Sequence, residues 1–141
     1  IDTWKTSWSS ATLEDIQIAG NDAKKYSTLN FVGIEATGGN MINATAMTHF
    51  HTDIWTANAT TFKIKLVDLG PNGVYDGVGA GDDKEHEIVI TSPAQNTWLS
   101  LDIPLSDFTN LTTRGHISQL IYAAVPAGSA TVYIDNVYFH N

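Results

Sequence analysis

The chain predicts an all-β fold, an antiparallel β-sandwich of the jelly-roll kind with about eight or nine strands. Apolar and polar residues alternate with a period of two through most of the sequence, the pattern of half-buried strands. Turn signals such as Gly20-Asn21-Asp22, Gly38-Gly39-Asn40, Ala57-Asn58-Ala59, Ser92-Pro93 and Ala127-Gly128 separate the alternating runs, as in sandwiches and barrels. A chain of 141 residues, 43% hydrophobic and 16% charged, is enough for one domain around a single core.

In order, strands are expected at residues 15–19, 29–35, 49–56, 62–68, 86–91, 97–104, 119–125 and 131–139. Helical turns are expected only at 106–111 and 113–119. In the third run Phe50, Thr52 and Ile54 share one face, and His49, His51, Asp53 and Trp55 share the other. In the fourth, Phe62, Ile64 and Leu66 oppose Lys63 and Lys65. If the apolar sets build the core, the opposite face carries His51, Asp53, Trp55 and Lys65, a polar surface with an aromatic on it. In the last run the apolar parity switches from Val132 and Ile134 to Val137 and Phe139. A bulge is therefore expected near Asp135 and Asn136, aiming the Asp135 carboxylate sideways.

Between the fourth and fifth runs, residues 68–87 hold six of the chain's fifteen acidic residues, interleaved with five glycines. Carboxylates this close repel unless a cation or dense hydrogen bonding neutralises them. Glycine lets a backbone fold tightly and turn its carbonyls inward, and Ca²⁺ takes six to eight such oxygen ligands. Asp68, Asn72, Asp76, Asp82 and Asp83 are the candidate calcium ligands; the alternative is a solvated acidic hairpin. The spacing is not that of an EF-hand.

Composition excludes several functions. A formal charge of −8 argues against nucleic acid and anionic membrane surfaces, and against acidic polysaccharides unless a bound cation locally inverts the field. No apolar run is long enough to span a bilayer. The absence of cysteine removes disulfides, thiol catalysis and cysteine-based zinc sites. The chain opens at Ile1 without a signal peptide and reads as a processed or excised piece of something longer.

The final strand, Thr131-Val-Tyr-Ile-Asp-Asn-Val-Tyr-Phe139, resembles the closing strand of galactose-binding-like jelly rolls. With His49-Phe-His-Thr-Asp-Ile-Trp-Thr56, Phe62-Lys-Ile-Lys-Leu-Val-Asp-Leu-Gly70 and Trp98-Leu-Ser-Leu-Asp-Ile-Pro-Leu-Ser-Asp-Phe108, the likeness extends over most of the chain. The whole is similar to the β-sandwich carbohydrate-binding modules appended to secreted bacterial glycoside hydrolases such as laminarinases. That resemblance implies a single non-catalytic module binding a neutral polysaccharide, with a β-glucan favoured, and covalently linked to a catalytic domain. It implies extracellular location and a structural Ca²⁺, which carries over to Asp135. It also implies one further strand ahead of the segment Asp2-Thr-Trp-Lys-Thr-Ser-Trp8.

Sugars stack their apolar C–H faces on aromatic rings while planar polar side chains hold the hydroxyls. Candidate sugar contacts are Trp4, Trp8, His51, Asp53, Trp55, Lys65, Tyr75 and Arg114. Trp4 and Trp8 lie in a Ser/Thr-rich stretch, where an exposed ring is costly unless it contacts something; edge packing is the alternative. Trp55 is either a platform or a plug. Trp98, opening an alternating strand, is read as a core residue. His49 and His51 share a strand face with Asp53, but a hydrogen-bonded polar strand explains them better than zinc. Arg114 can make a bidentate contact to paired hydroxyls or a carboxylate, or a surface ion pair. Sequons at Asn43, Asn58 and Asn110 read as turn chemistry.

No nucleophile elbow, zinc-protease helix, P-loop or dinucleotide fingerprint is present. The expectation is therefore a binding module and not an enzyme. The alternatives are a protein- or cell-surface-binding adhesion module and a small polysaccharide hydrolase or lyase.

Overall fold

One long strand organises the molecule. In the computed structural model, which describes residues 1–77 and 81–141, β1 (Ser10–Ile18) and β2 (Asn21–Glu35) form a hairpin. The chain continues through β3 (His49–Thr56), β4 (Thr61–Asp68), β5 (Lys84–Thr91), β6 (Trp98–Pro104), β7 (Ile117–Val125) and β8 (Ala130–His140). The C-terminal half of β2 pairs with β7 through Phe31–Glu35, and its N-terminal half pairs with β8 through Lys24–Leu29. The strand order β5-β4-β7-β2-β8-β3-β6 thus folds at β2 into two facing layers. The switch falls at a bulge between Tyr26 and Leu29, where Thr28 takes a left-handed backbone (φ 48°). Opposite it, the β1 register also slips between Ser10 and Thr12, and the Thr12 and Thr28 hydroxyls meet at 2.8 Å.

The core lies between the layers. Phe62, Ile64 and Leu66 of β4 and Tyr122 of β7 face Phe50 and Ile54 of β3 and Val132 and Ile134 of β8, all essentially inaccessible. A polar contact crosses this space, between the Thr52 and Tyr122 hydroxyls at 2.7 Å. Burial pushes the Tyr122 phenol far up, so it stays protonated, and the same holds for buried Tyr26.

Strands β3 to β8 fall within three residues of their expected bounds. The N-terminal hairpin is much longer than expected: β1 starts at Ser10 and β2 at Asn21. Its Lys, Asp and Ser residues carry little apolar alternation, and pairing with β8 holds it extended. A 3₁₀ turn, Leu105–Asp107, stands at the first expected helical turn, while the second is extended and enters β7 at Ile117. The bulge at Asp135 and Asn136 is present. Register against β3 shifts between His51 and Asp53, and Asn136 takes φ 51°.

Candidate functional site

The registers of β2, β7, β4 and β5 lay out the outer face of the first layer as rows. Glu35, Gln119, Val67 and Glu85 form one row, and Gly33, Ile121, Lys65 and Glu87 the next. Phe31, Ala123, Lys63 and Val89 complete the grid. The N-terminal segment runs along the free edge of β2, with the Thr6 amide donating to the Gly33 carbonyl at 3.0 Å. This delivers Trp8 onto the sheet. Its ring stacks on Phe31 (centroids 6.3 Å, planes 23° apart) and covers Gly33. A Cβ on Gly33 would lie 2.5 Å from Trp8 Cζ2, closer still to Cη2, and 2.8 Å from Thr6 Oγ1. The ring can seat itself only because position 33 has no side chain.

Trp8 remains 44% exposed, and Tyr75 on the acidic loop is 62% exposed. Both line one groove of about 630 Å³ over Ile121, Val67, Lys65 and Gln119. The floor is polar and internally paired: Gln119 Nε2 donates to Glu35 Oε2 at 2.8 Å, and Lys65 Nζ lies 3.6 Å from Glu85 Oε1. The structure thus brings Trp8, Tyr75 and Lys65 together. Sequence reasoning missed Glu35, Gln119, Ile121 and Glu85, which emerge only from the long-range register. Gly33, a glycine inside a strand, was the available signal for a close approach.

The expected single face of His51, Asp53, Trp55 and Lys65 does not form. β3 and β4 sit in opposite layers, so the alternation that points both apolar sets inward points their polar partners away from each other. His51 is only 8% exposed. Its ring stacks on Tyr138 (4.7 Å), and its nitrogens engage Asp53 Oδ1 at 2.8 Å and Asp102 Oδ1 at 3.1 Å. It is thus closed to a ligand, and Asp53 is committed to it and to the Asn136 amide at 2.8 Å. Beside them, His140 Nε2 meets Asp102 Oδ1 at 2.6 Å. That bond, with a further one to His51, holds Asp102 below the usual carboxylate range, and the same bond raises His140.

Trp4 packs partly buried against the core and lies off the groove. Its carbonyl accepts the Tyr26 hydroxyl at 2.6 Å, and Lys24 Nζ sits 5.2 Å from its ring. Arg114 lies apart from the grid, in a cleft with Thr45, Gly70 and His116. Trp55 stands on the second layer beside Trp98, which is 42% exposed and not a core residue.

In the acidic loop, Asp76, Asp82 and Asp83 each bring a carboxylate oxygen within 4.8 Å of the others. Asp82 Oδ1 and Asp83 Oδ1 are shielded from solvent with no hydrogen-bond partner among the described residues. Asp83 Oδ2 accepts the Asp76 and Gly77 amides at 2.8 and 3.0 Å. Asn72 joins them through its side-chain amide, 3.1 Å from Asp76 Oδ2. A Cβ at Gly70 or Gly81 would fall 2.5 Å from Asp82 Cγ or Asp76 Cγ, and both glycines have positive φ (71° and 58°). Residues 78–80 of this loop lie outside the described residues.

Asp68 is not in this group. Fully buried, it accepts the Gly70 amide (2.9 Å), the Thr113 hydroxyl (2.6 Å) and the His116 amide (2.7 Å), tying the loop to the approach to β7. Asp135, at the bulge, accepts the Asn136 amide at 2.8 Å and lines a separate cleft with Trp4, Asp15, Asp22 and Lys24.

No family model matches the chain, and no curated protein matches it. Solved structures do. A family 30 carbohydrate-binding module superposes with a TM-score of 0.69 at 15% identity, covering 97% of this chain and 76% of that one. A family 11 module from Clostridium thermocellum, in complex with a β-1,3-1,4-mixed-linked tetrasaccharide, gives 0.66 at 14% identity, covering 98% and 86%. A family 28 module described as specific for non-crystalline cellulose gives 0.61 at 16% identity, covering 98% and 87%. The chain has the β-sandwich fold of carbohydrate-binding modules, the architecture its closing strand Ile134-Asp-Asn-Val137 resembles.

Proposed function

We propose that this chain binds a neutral polysaccharide, a β-glucan, along the groove of the first layer without cleaving it. The observation that carries this is Trp8, held flat on side-chain-free Gly33, facing Tyr75 across a floor of hydrogen-bonding side chains. A pyranose would place its C–H face on the ring and its hydroxyls against Lys65, Gln119 and Glu35. Glu35 and Glu85 are already engaged by Gln119 and Lys65, which suits them to hold hydroxyls and not to act as a free acid and base. The likeness in fold to modules described with mixed-linked glucan and with cellulose supports the choice of β-glucan. Linked to a secreted bacterial glycoside hydrolase, the module would raise the enzyme's effective concentration at its substrate. Single-site affinity is then weak, about 10⁻⁴–10⁻⁵ M, because a few stacked sugars leave little surplus over ordering costs.

A structural Ca²⁺ belongs to the same proposal. The residues fit it: two carboxylates, each with a shielded oxygen that has no hydrogen-bond partner among the described residues, converge with a third in a cradle that glycines keep open. Asp76, Asp82 and Asp83, with Asn72 adjoining, would hold the ion; its charge would offset their repulsion. Asp135 remains a candidate for a second ion.

Isothermal titration with laminarin, cellohexaose and mixed-linked β-glucan oligosaccharides tests the binding. Heat is expected with at least one, and the part of it that belongs to the groove is lost in Trp8→Ala. No heat from folded protein with any of them would overturn the proposal.

A further inference from the structure

The second layer carries an aromatic cluster that the groove does not use. Trp98 of β6, Trp55 of β3 and Tyr133 of β8 are direct cross-strand partners at one level of the sheet. Their inward neighbours Ile54 and Ile134 are buried in the core, so all three rings stand on the outer face. Trp55 and Tyr133 meet edge to face at 5.5 Å. With Ile18 at the end of β1, the rings line a shallow concavity of about 220 Å³. Trp98, on the edge strand, is the most exposed of the four tryptophans but one.

We infer that this cluster is a second glycan platform, taking a neutral hexopyranose unit of a separate polysaccharide chain. The ligand class rests on the function proposed above; the site is independent of the groove. A pyranose has an apolar face and a hydroxyl rim, and the cluster matches both. Its apolar floor is only one row deep. The next row is polar, with Asp53 opposite Ser100, and Asn136 donates to Asp53. On the other side Lys25 stands 5.7 Å from the Tyr133 ring and pairs with Glu14 at 3.5 Å. A stable protein interface needs roughly 800 Å² per partner, and charged and polar residues close in on this patch too soon for that. Because the two sites lie on opposite layers, one extended glycan cannot occupy both, and the module would bridge two chains.

The test follows the four indole N–H signals of ¹⁵N-labelled protein during titration with cellohexaose and laminarihexaose. The Trp8 and Trp98 signals are expected to move with separate midpoints. Trp98→Ala, a change at an exposed position, should weaken the second event roughly tenfold or more and leave the first intact. Trp8→Ala should do the reverse. Wild-type protein should also aggregate soluble mixed-linked β-glucan, and Trp98→Ala should not. Movement at Trp8 with Trp98 and Trp55 still overturns this inference and leaves the groove standing. Movement at Trp98 alone supports it and overturns the groove. If no signal moves, both fail. A Trp98 signal that shifts with protein concentration in the absence of sugar marks an interface between copies and overturns the glycan assignment.

Discussion

Gly33→Ala is the most incisive perturbation of the groove, because it adds one methyl beneath the ring. A Cβ there would stand 2.5 Å from Trp8 Cζ2, where carbon contacts favour about 3.5–4.0 Å. The ring must shift by at least about 1 Å from its seat between the added methyl and its stacking on Phe31. A little over half of the Trp8 surface is covered, so losing its seat forfeits roughly 100 Å² of burial, at most about 2.5 kcal/mol. Alanine in a strand returns about 0.5–1 kcal/mol over glycine. The net loss is about 2 kcal/mol or less, and Tm falls by several degrees in a protein that still folds. Affinity for the glucan should fall more sharply, about tenfold or beyond, since the platform is displaced. In a Trp8→Ala background the same Gly33→Ala change should cost much less, because only the Thr6 hydroxyl, 2.8 Å from the added Cβ, remains to give way. Calorimetric titration and the near-ultraviolet signal of Trp8 measure both effects. Wild-type affinity with an unmoved Trp8 in Gly33→Ala would refute the reasoning.

Calcium should raise Tm by several degrees, by about 2.7 kcal/mol of stabilisation at a hundredfold excess over Kd; chelator should reverse this, and Asp82→Asn with Asp83→Asn should abolish it. Identical melting in calcium and chelator, with no metal in the purified protein, would leave the loop a plain acidic hairpin. Tyr122→Phe strands the Thr52 hydroxyl in the core and should cost about 1–3 kcal/mol, largely recovered by adding Thr52→Val; denaturant midpoints with unchanged slopes check it. The Asp102–His140 contact gives a pH window. Asp102 is lowered, so its contribution is present above the ordinary carboxylate pKa and lost as pH falls through the lowered one. His140 is raised, so its contribution is present below the ordinary histidine pKa and lost as pH rises through the raised one. The two coincide between about pH 4 and 6.5. Asp102→Asn should therefore lower Tm most at about pH 5.5 and little at pH 9; an equal loss at both would count against the pairing.

Strand positions were legible because each half-buried strand writes its in–out alternation locally. The parity switch between Ile134 and Val137 marked the bulge for the same reason: an extra residue flips every later side chain. Layer membership was not legible, since alternation says in or out but not which sheet. That is why Lys65 was grouped with His51, Asp53 and Trp55. Trp98 could have been read better. Leu99, Leu101 and Ile103 are the apolar set of β6, so Trp98 shares its parity with Ser100 and Asp102 and faces outward. The acidic loop was legible as a cluster, but Asp68 was not separable from it, because its three donors come from Gly70 and from Thr113 and His116, more than forty residues on.

The groove divides its work between two kinds of structure. Its floor consists of strand residues whose inward neighbours build the core, so their positions are set by the stability of the whole sandwich. Its walls do not. Trp8 hangs on a segment bound to the edge of β2 and depends on one missing side chain. Tyr75 hangs on the acidic loop, one residue from Asp76, whose amide is held by Asp83. Asp83 itself lines the groove. Whatever rearranges those carboxylates therefore moves one wall, while the floor stays fixed by its cross-strand partners. Under the binding proposed above, curvature and spacing of the aromatic walls would select one glucan linkage over another and could change without cost to the core, while the hydrogen-bonding floor would serve any of them.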